Sequence, residues 1–427
     1  MKRVLVITYY WPPGGGAGVQ RWLKFTRYLP ETGWEPVILT VDPAFAQYPA
    51  TDESLLEDIA PGLQIHKTPA TNFFRLAGAG RKNIPSAGFA NREKKGALDL
   101  ILRFIRGNFF IPDPRKGWNR HAFRKAAELI SGQGINLVIT SSPPHSTQLI
   151  GLKLKKRFPH LKWIADLRDP WTDIYYYNEF LHTPPAKYFD ALYEKKVLSA
   201  ADRIITVGEK LKEIFAAKVR GSEPKISVVT NGYDEDDFKG IEASSPQKFT
   251  ITYTGTISSL YPIDSFIEAV KRVQDTGGEI ILRFAGFVSG ELREKILASL
   301  PPSTAEFLPY VSHPEAIRLM LSSSALFIII PRHRNNGCII TGKIFEYIAS
   351  GKPVILVGPP GGDASDIITS SGAGMAFDYD NAEGIREFVL RLINGEFSVS
   401  ATGKEKYSRK NLSRKLSEIL SEAERGS

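Results

Sequence analysis

The chain has 427 residues, of which 42% are hydrophobic and 24% are charged, a composition that fits a globular protein and excludes a disordered chain or a coiled coil. Its net charge of +9 favours an acidic partner, either a nucleic acid, an anionic membrane or a phosphorylated small molecule. The single cysteine, Cys338, excludes a disulfide framework and a cysteine metal cluster, so we expect a cytoplasmic protein.

The first half of the chain alternates short apolar runs with amphipathic stretches. Runs typical of buried strands cover 4–8, 36–41, 137–140, 163–165, 203–207 and 226–229. Helical periodicity covers 19–29, 122–130, 147–158 and 187–198. Because apolar strands that alternate with helices form parallel sheets covered on both faces, this half is predicted to be a doubly wound α/β domain.

A polar, turn-rich segment at 231–248 separates this half from a second series of the same kind. The strands of the second series are predicted at 249–253, 279–285, 325–330, 353–357 and near Met375. The tail carries leucine and isoleucine on one helical face, so we expect it to pack against a domain. The predicted domains are therefore 1–245 and 246–400, followed by a C-terminal helix within 401–427.

The excess positive charge lies in one segment, 75–125. This segment contains 13 Lys and Arg and three Asp and Glu, a net of +10, so the rest of the chain is nearly neutral. Its apolar residues accompany Arg103 and Arg106 in the pattern of an amphipathic helix at an anionic membrane. Packing of the apolar side on its own domain fits the pattern equally well. Nucleic acid is disfavoured because no binding-module signature is present.

Glycines follow the first predicted strand at positions 14, 15, 16 and 18, directly before a helix. Backbone N–H groups at such a turn can approach an anionic group closely. The dinucleotide-binding spacing is not met, since Val19 and Arg21 stand where its last glycine is needed, and this disfavours a nicotinamide or flavin enzyme. A tight turn without a ligand is the alternative.

Residues 337–344 nearly match the P-loop. Ile344 replaces the Ser or Thr that would hold magnesium, which disfavours magnesium-dependent triphosphate hydrolysis. Lys343, at a predicted helix N-terminus, can still neutralise a pyrophosphate. Glu346 shares its helix face and can accept two hydrogen bonds from vicinal hydroxyls such as those of a ribose. A Lys–Glu pair on a solvated helix face is the alternative.

The segment 345–355, FEYIASGKPVI, followed by Gly361, Gly362 and 366–368, resembles the nucleotide-sugar-binding signature of retaining glycosyltransferases of family 4. The motifs at 11–16, 142–146, 166–171, 229–234 and 253–256 also resemble the family's and occur in its order. The resemblance covers nearly the whole chain. It implies the GT-B fold, in which two Rossmann-like domains face a cleft and the C-terminal helix crosses back to the first domain.

The resemblance implies that the second domain binds most of the donor. Glu346 matches the glutamate that binds the donor ribose, whereas Cys338 stands where the family's first glutamate is expected. Lys343 is implied to stabilise the departing diphosphate, with Arg332 and Arg334 as further candidates unless their loop is merely solvated. The predicted donor-binding set is completed by Gly15, Gly16, Thr256, Gly361 and Gly362.

His145 follows the strand at 137–140, where a doubly wound domain binds its ligand. The resemblance implies that it hydrogen-bonds the transferred sugar or the acceptor, and it joins Lys343 and Glu346 as a predicted catalytic residue. Arg168 and Asp169 are candidates for acceptor binding, although 166–169 fits a structural salt-bridged turn equally well. No metal or other cofactor is expected.

The sequence therefore predicts a retaining glycosyltransferase of polysaccharide biosynthesis. It would move a sugar from a nucleotide-diphosphate donor to a saccharide or lipid-linked acceptor, as a peripheral protein at the inner face of the membrane, with 75–125 as the membrane contact. One alternative is a GT-B sugar-nucleotide epimerase, which needs no acceptor. The other is a noncatalytic saccharide- or membrane-binding protein, which Cys338 leaves open.

Overall fold

The computed structural model describes residues 1–72, 96–400 and 403–426. The chain forms two compact units: the first comprises Met1–Thr230 with Arg409–Ser427, and the second comprises Asn231–Ser408. The division lies before the boundary predicted near 245. Residues from 231 onward belong to the second unit because Tyr233 is buried in its core and donates its N–H to the carbonyl of Tyr407 at 3.1 Å.

The first unit contains a seven-stranded parallel sheet in its described part. The strands are β1 (Lys2–Thr8), β2 (Trp34–Val41), β3 (Gln64–Thr68), β4 (Leu137–Ser142), β5 (Lys162–Leu167), β6 (Arg203–Thr206) and β7 (Ile226–Val228). The helices before the unit boundary are α1 (Ala17–Tyr28), α2 (Gly96–Phe109), α3 (Asn119–Gln133), α4 (Gln148–Arg157), α5 (Pro184–Ala200) and α6 (Glu209–Lys218). The strand order is β3-β2-β1-β4-β5-β6-β7, so the winding direction reverses between β1 and β4, where doubly wound sheets bind ligands.

A buried ion pair joins three elements of this unit. Arg21 on α1 donates two hydrogen bonds to the Asp166 carboxylate on β5, at 3.0 and 3.2 Å, and another to the carbonyl of Val229 at 2.9 Å. Trp22 and Ser141 also donate to Asp166, at 2.9 and 2.8 Å. Asp166 therefore has a structural, salt-bridged role, which was one of the two interpretations of 166–169. Removal of either charge would lower the free energy of unfolding by about 3–5 kcal/mol.

The second unit repeats the same topology with six parallel strands among its described residues. The strands are β8 (Phe249–Thr254), β9 (Ile280–Ala285), β10 (Ala305–Leu308), β11 (Ala325–Ile329), β12 (Val354–Val357) and β13 (Gly374–Phe377). The helices are α7 (Asp264–Asp275), α8 (Gly290–Ser299), α9 (His313–Leu321), α10 (Lys343–Ser350), α11 (Asp363–Ser370) and α12 (Ala382–Ile393). The order β10-β9-β8-β11-β12-β13 reverses between β8 and β11, so both units are Rossmann-like, as predicted.

The last helix, α13 (Arg409–Arg425), belongs to the first unit. Its apolar stripe joins the buried cluster formed by β1, α1 and neighbouring elements. The buried members of the stripe are Leu412, Leu416, Ile419, Leu420 and Ala423. Their three- and four-residue spacing places them on one side of the helix, which explains why the chain returns to the first unit.

Helix α2 lies opposite to the orientation expected of a basic membrane anchor. Arg103 is buried and pairs with Asp99 at 2.7 Å and Glu179 at 3.2 Å. Arg106 is buried with its guanidinium carbon 3.5 Å from the ring centroid of Phe180. The prediction that these two arginines face a membrane is therefore wrong, because the helix turns them inward.

Four apolar side chains of α2 are exposed, namely Leu100, Ile101, Phe104 and Phe109. Six basic residues of the 75–125 segment lie outside the described residues: Arg75, Arg81, Lys82, Arg92, Lys94 and Lys95. No helix in the described part of the chain is long and apolar enough to cross a membrane.

Candidate active site

A cavity of about 720 Å³ lies at the carboxyl ends of β8, β9 and β10 in the second unit. Its wall is formed by the residues that follow these strands and by side chains of α8, α9 and α10. The predicted residues Thr256, Lys343 and Glu346 all line it. The volume is in the range of small-molecule sites, and the location is where parallel sheets bind ligands.

Helix α10 is fixed to the end of β8 by Tyr347. The hydroxyl of this buried tyrosine accepts a hydrogen bond from the backbone N–H of Thr254 at 2.9 Å and lies 3.1 Å from the Thr254 hydroxyl. Tyr347 is one helical turn after Lys343, so this contact sets the position of the first turn of α10, which carries Lys343 and Glu346 into the cavity.

Lys343 is held in a confined space at the start of α10. Its Nζ lies 3.8 Å from the ring centroid of Tyr253. Burial lowers the pKa of Lys343 to about 7, and the charge of the nearby Glu346 opposes this shift only in part. Gly255 has a φ of +110°, and a Cβ there would lie 3.0 Å from Lys343 Nζ. Glycine at 255 therefore allows the lysine to approach the backbone, and a pKa of about 7 leaves the buried lysine about half protonated at neutral pH.

Glu346 contacts a residue for which the sequence predicted no role. Its Oε1 lies 3.0 Å from Nε2 of His313, the first residue of α9, and both side chains line the cavity. The two residues are 33 positions apart and belong to different elements, so no motif links them. The second carboxylate oxygen of Glu346 can accept a further hydrogen bond.

Further cavity residues were also missed from the sequence. Arg293 on α8 lines the cavity, with its guanidinium carbon 4.7 Å from the ring centroid of Phe307. Phe287 and Tyr310 line it as well and are largely exposed, at 63% and 82%. Exposed aromatic rings at a cavity offer stacking surfaces, and Arg293 adds a second cation to Lys343.

Other predicted donor residues of the second unit are not brought to this cavity. Arg332 and Arg334 are exposed in the loop after β11, and Arg332 pairs with Asp380 at 3.3 Å. Gly361 and Gly362 precede α11, where Gly362 lies against Gly337. None of these four residues lines the cavity. Their donor-binding role stays a prediction, and the two arginines are exposed to solvent.

Cys338 also lies apart from the cavity. It is buried, and its Sγ donates a hydrogen bond to the carbonyl of Asn335 at 3.0 Å. Gly15 and Gly16 belong to the first unit, where Gly15 donates its N–H to the carbonyl of Ala50 at 2.9 Å and Gly16 precedes α1 with a φ of +90°. The glycine-rich loop is thus fastened to a neighbouring loop.

His145 follows β4 in the first unit and lines a cavity of about 80 Å³. Its ring stacks on that of Trp171 with centroids 4.9 Å apart. Burial, followed by the charges of Lys218 and Arg168, lowers its pKa to about 3, and its buried Nδ1 has no hydrogen-bond partner. His145 is therefore a neutral imidazole at physiological pH, suited to hydrogen bonding rather than to acid catalysis.

Arg168 and Asp169 do not line the cavity of His145. Arg168 donates to the carbonyl of Ser142 at 3.0 Å and to that of Gly18 at 3.0 Å, which joins the end of β4 to the start of α1. Burial raises the pKa of Asp169, and the Arg168 charge opposes that shift. The contacts of Arg168 are those of a residue that holds β4 and α1 together.

Family models match both halves of the chain. Residues 15–237, more than half of the sequence, match the model described as Glycosyltransferase Family 4, and residues 248–395 match the model described as Glycosyl transferases group 1. The chain belongs to glycosyltransferase family 4. None of the curated protein sequences matches this family 4 chain at a significant level.

Solved structures share the fold of this glycosyltransferase at low sequence identity. Sucrose-phosphate synthase from Thermosynechococcus elongatus has a TM-score of 0.63 and 12% identity, and the match covers 100% of both chains. Anabaena HepE in complex with UDP-glucose has a TM-score of 0.57 and 12% identity, with 99% of this chain and 100% of that chain covered. A Listeria monocytogenes protein described as a putative UDP-N-acetylglucosamine 2-epimerase has a TM-score of 0.55 and 12% identity, with 100% and 98% covered.

These likenesses establish the two-unit α/β fold predicted from the sequence, the GT-B architecture of glycosyltransferases.

Among the residues that the structure describes, no group of three or more His, Cys, Asp and Glu side chains is arranged to share a metal ion.

Proposed function

We propose that this family 4 glycosyltransferase transfers a hexosyl group from a nucleoside-diphosphate sugar, with retention of the anomeric configuration, to a saccharide or lipid-linked acceptor. The observation that carries the proposal is the placement of Lys343 and Glu346 on one turn of α10 in the 720 Å³ cavity of the second unit. A desolvated cation beside a carboxylate matches a donor that combines a diphosphate with a ribose.

Each part of such a donor has a counterpart in the cavity wall. Lys343 and Arg293 supply positive charge for the diphosphate, and Glu346 accepts hydrogen bonds from the ribose hydroxyls. Phe287 and Tyr310 offer exposed rings for the base. HepE, which shares the fold, was solved with UDP-glucose, and this supports testing uridine donors first.

The proposed transfer breaks the bond between the anomeric carbon and the diphosphate oxygen and forms a bond from the acceptor hydroxyl oxygen on the same face. The acceptor hydroxyl oxygen is itself the nucleophile, and its proton passes to the departing phosphate oxygen, so no side chain needs to act as general base. Lys343 stabilises the negative charge that develops on the leaving group, and we expect the reaction to need no resident metal. His145, as a neutral imidazole, hydrogen-bonds the sugar or the acceptor.

We place the reaction in polysaccharide biosynthesis at the cytoplasmic face of a membrane. The exposed apolar side chains of α2 support a lipid contact of this kind. The contact differs from the one expected from composition, because hydrophobic side chains and not Arg103 or Arg106 face outward.

The proposal is tested by a panel of UDP- and GDP-sugars in a thermal-shift assay, followed by product analysis. One donor is expected to raise the melting temperature above the others, since a ligand at 100 times its Kd stabilises the folded protein by about 2.7 kcal/mol. That donor should yield free nucleoside diphosphate slowly alone and rapidly with an acceptor. An epimerase, which the likeness to the Listeria protein keeps as the second candidate, would convert the donor sugar without an acceptor. No shift with any donor, or epimerised donor as the product, would overturn the proposal.

A further inference from the structure

Two buried arginines line the small cavity of His145 in the first unit. Arg106, on α2, and Arg115, in the short helical turn Pro114–Trp118, belong to the basic segment 75–125. Both side chains are more than nine-tenths buried, at 9% and 7% exposure. Arg106 and Arg115 therefore carry part of the excess positive charge of the chain, and this part is buried at a cavity wall. Burying a guanidinium is costly unless an opposite charge compensates it.

The charge of Arg115 has no direct carboxylate partner in the described structure. Its Nη2 contacts the carbonyl of Gln47 at 3.4 Å, and its buried Nε makes no hydrogen bond. Asp113 is close, but its oxygens accept from the backbone N–H of Arg115 at 2.9 Å and from the N–H and hydroxyl of Ser146 at 2.7 and 2.8 Å. Asp113 is thus used to hold the turn and leaves the guanidinium donors of Arg115 available.

Two histidines and a second carboxylate also line the cavity. His145 and His182 line it, and the Nδ1 atoms of both are buried without a partner. Asp190 lines it as well, but its oxygens already accept from Trp171 at 2.7 Å and from Tyr177 at 2.9 Å, and burial raises its pKa to about 7. The cavity therefore presents two guanidinium cations and two carboxylates, Asp113 and Asp190, and the oxygens of both carboxylates already accept hydrogen bonds from neighbouring protein groups.

The size of the cavity limits what it accepts. A volume of about 80 Å³ exceeds the roughly 10–15 Å³ that one water needs and falls below the roughly 300 Å³ at which small-molecule pockets begin. A group of a few heavy atoms fits, whereas a whole sugar does not. Two guanidinium charges match the charge of about −1.5 to −2 on a phosphate monoester better than the single charge of a carboxylate.

We infer that this cavity is an anion subsite that binds a phosphate monoester group of the acceptor through Arg106 and Arg115. The inference rests on the proposed function, because it names the chemical class of the acceptor for the same transfer. The acceptor is then a phosphorylated saccharide or a phosphorylated lipid carrier, which share the group recognised. His145 lies in the same cavity wall, so the bound phosphate positions the acceptor next to the residue predicted to contact it.

The test is isothermal titration of the full-length protein with inorganic phosphate, glucose 6-phosphate, a short-chain isoprenyl phosphate and acetate. The Lys343→Ala, Arg293→Ala background removes both cations of the donor cavity, which would otherwise be a competing phosphate site. Arg115→Gln and Arg106→Gln are each expected to weaken phosphate binding at least tenfold. Arg115→Lys, which keeps the charge, is expected to lose less phosphate affinity. It replaces Arg115→Gln in the comparison if Arg115→Gln does not fold. The two organic phosphates distinguish a saccharide from a lipid source.

Two matched controls separate a binding site from a general charge or stability effect. Arg103→Gln removes a buried arginine of α2, the helix of Arg106, but Arg103 does not line the cavity. Arg124→Gln removes an exposed arginine from α3. Both should leave phosphate affinity within about twofold. Equal losses in the controls, unchanged affinity in Arg115→Gln and Arg106→Gln, or acetate binding as tightly as phosphate would overturn the inference. When Lys343 and Arg293 are retained, Arg115→Gln should leave donor affinity unchanged. A failed phosphate site would then appear as lost phosphate specificity with normal donor binding, whereas a failed proposed function would appear as absent donor binding.

Discussion

Two titratable side chains of α10 lie at the same cavity of the second unit. Lys343 and Glu346 are three residues apart, so helical geometry alone placed them on one face, and both line the cavity. His313 contacts Glu346 from another element, and no local pattern reveals such a contact. Arg103 and Arg106 show the converse, since composition gave their charge and could not show that the helix turns them inward.

The titration of Lys343 gives a pH dependence to donor binding. Its pKa of about 7 lies well below that of a solvated lysine because burial disfavours the ammonium, and a bound diphosphate favours it. Donor affinity is therefore expected to be highest below pH 7 and to fall as pH rises through 7 to 8.5, by about tenfold per pH unit at most. Titration calorimetry between pH 6 and 8.5 measures this.

The matched variant is Lys343→Arg, which stays charged throughout this range. Its donor affinity should be nearly independent of pH, whatever its absolute value. A wild-type affinity that does not change across the range, or a fall of the same size in the arginine variant, would show that Lys343 does not carry the effect.

Elements of secondary structure were predicted from the sequence where they are buried on both faces. The central strands β1 and β4 have continuous apolar runs, and their positions match the predicted 4–8 and 137–140. The strands β3 and β10 were not predicted. They lie at the edges of the two sheets and are only partly buried, so the side chains of QIHKT and AEFL carry no continuous apolar pattern.

The attachment of α10 to β8 predicts a stability effect for Tyr347→Phe. The substitution leaves the buried N–H of Thr254 without its acceptor, which costs about 1–3 kcal/mol. We expect the unfolding midpoint to fall by about 2–4 °C per kcal/mol in a differential scanning calorimetry trace. Tyr188→Phe, at a 65% exposed position on α5, is the control and should change little. Equal midpoints for Tyr347→Phe and wild type would mean that this hydrogen bond does not hold the helix.

At the scale of the whole molecule, the alternation of strands and helices predicted two doubly wound units because that pattern has few other solutions. The two compact units divide at 230, whereas the domain boundary was predicted at 245, since turn-rich sequence indicates a loop and not the unit on which it packs. Topology also explains why the predicted site residues lie where they do. Thr256 follows β8 and Lys343 follows the loop after β11, at the point where the strand order reverses.

Donor binding by α10 is tested most directly by titrating the stabilising nucleotide sugar into wild type, Lys343→Ala and Glu346→Ala. Each substitution removes charge-assisted hydrogen bonds of about 1.5–3 kcal/mol, so we expect donor affinity to fall about 10- to 100-fold in both variants. Lys352→Ala, two residues beyond α10 and outside the cavity, serves as the control and should retain wild-type affinity. Wild-type donor affinity in both Lys343→Ala and Glu346→Ala would contradict the assignment of this cavity as the donor site.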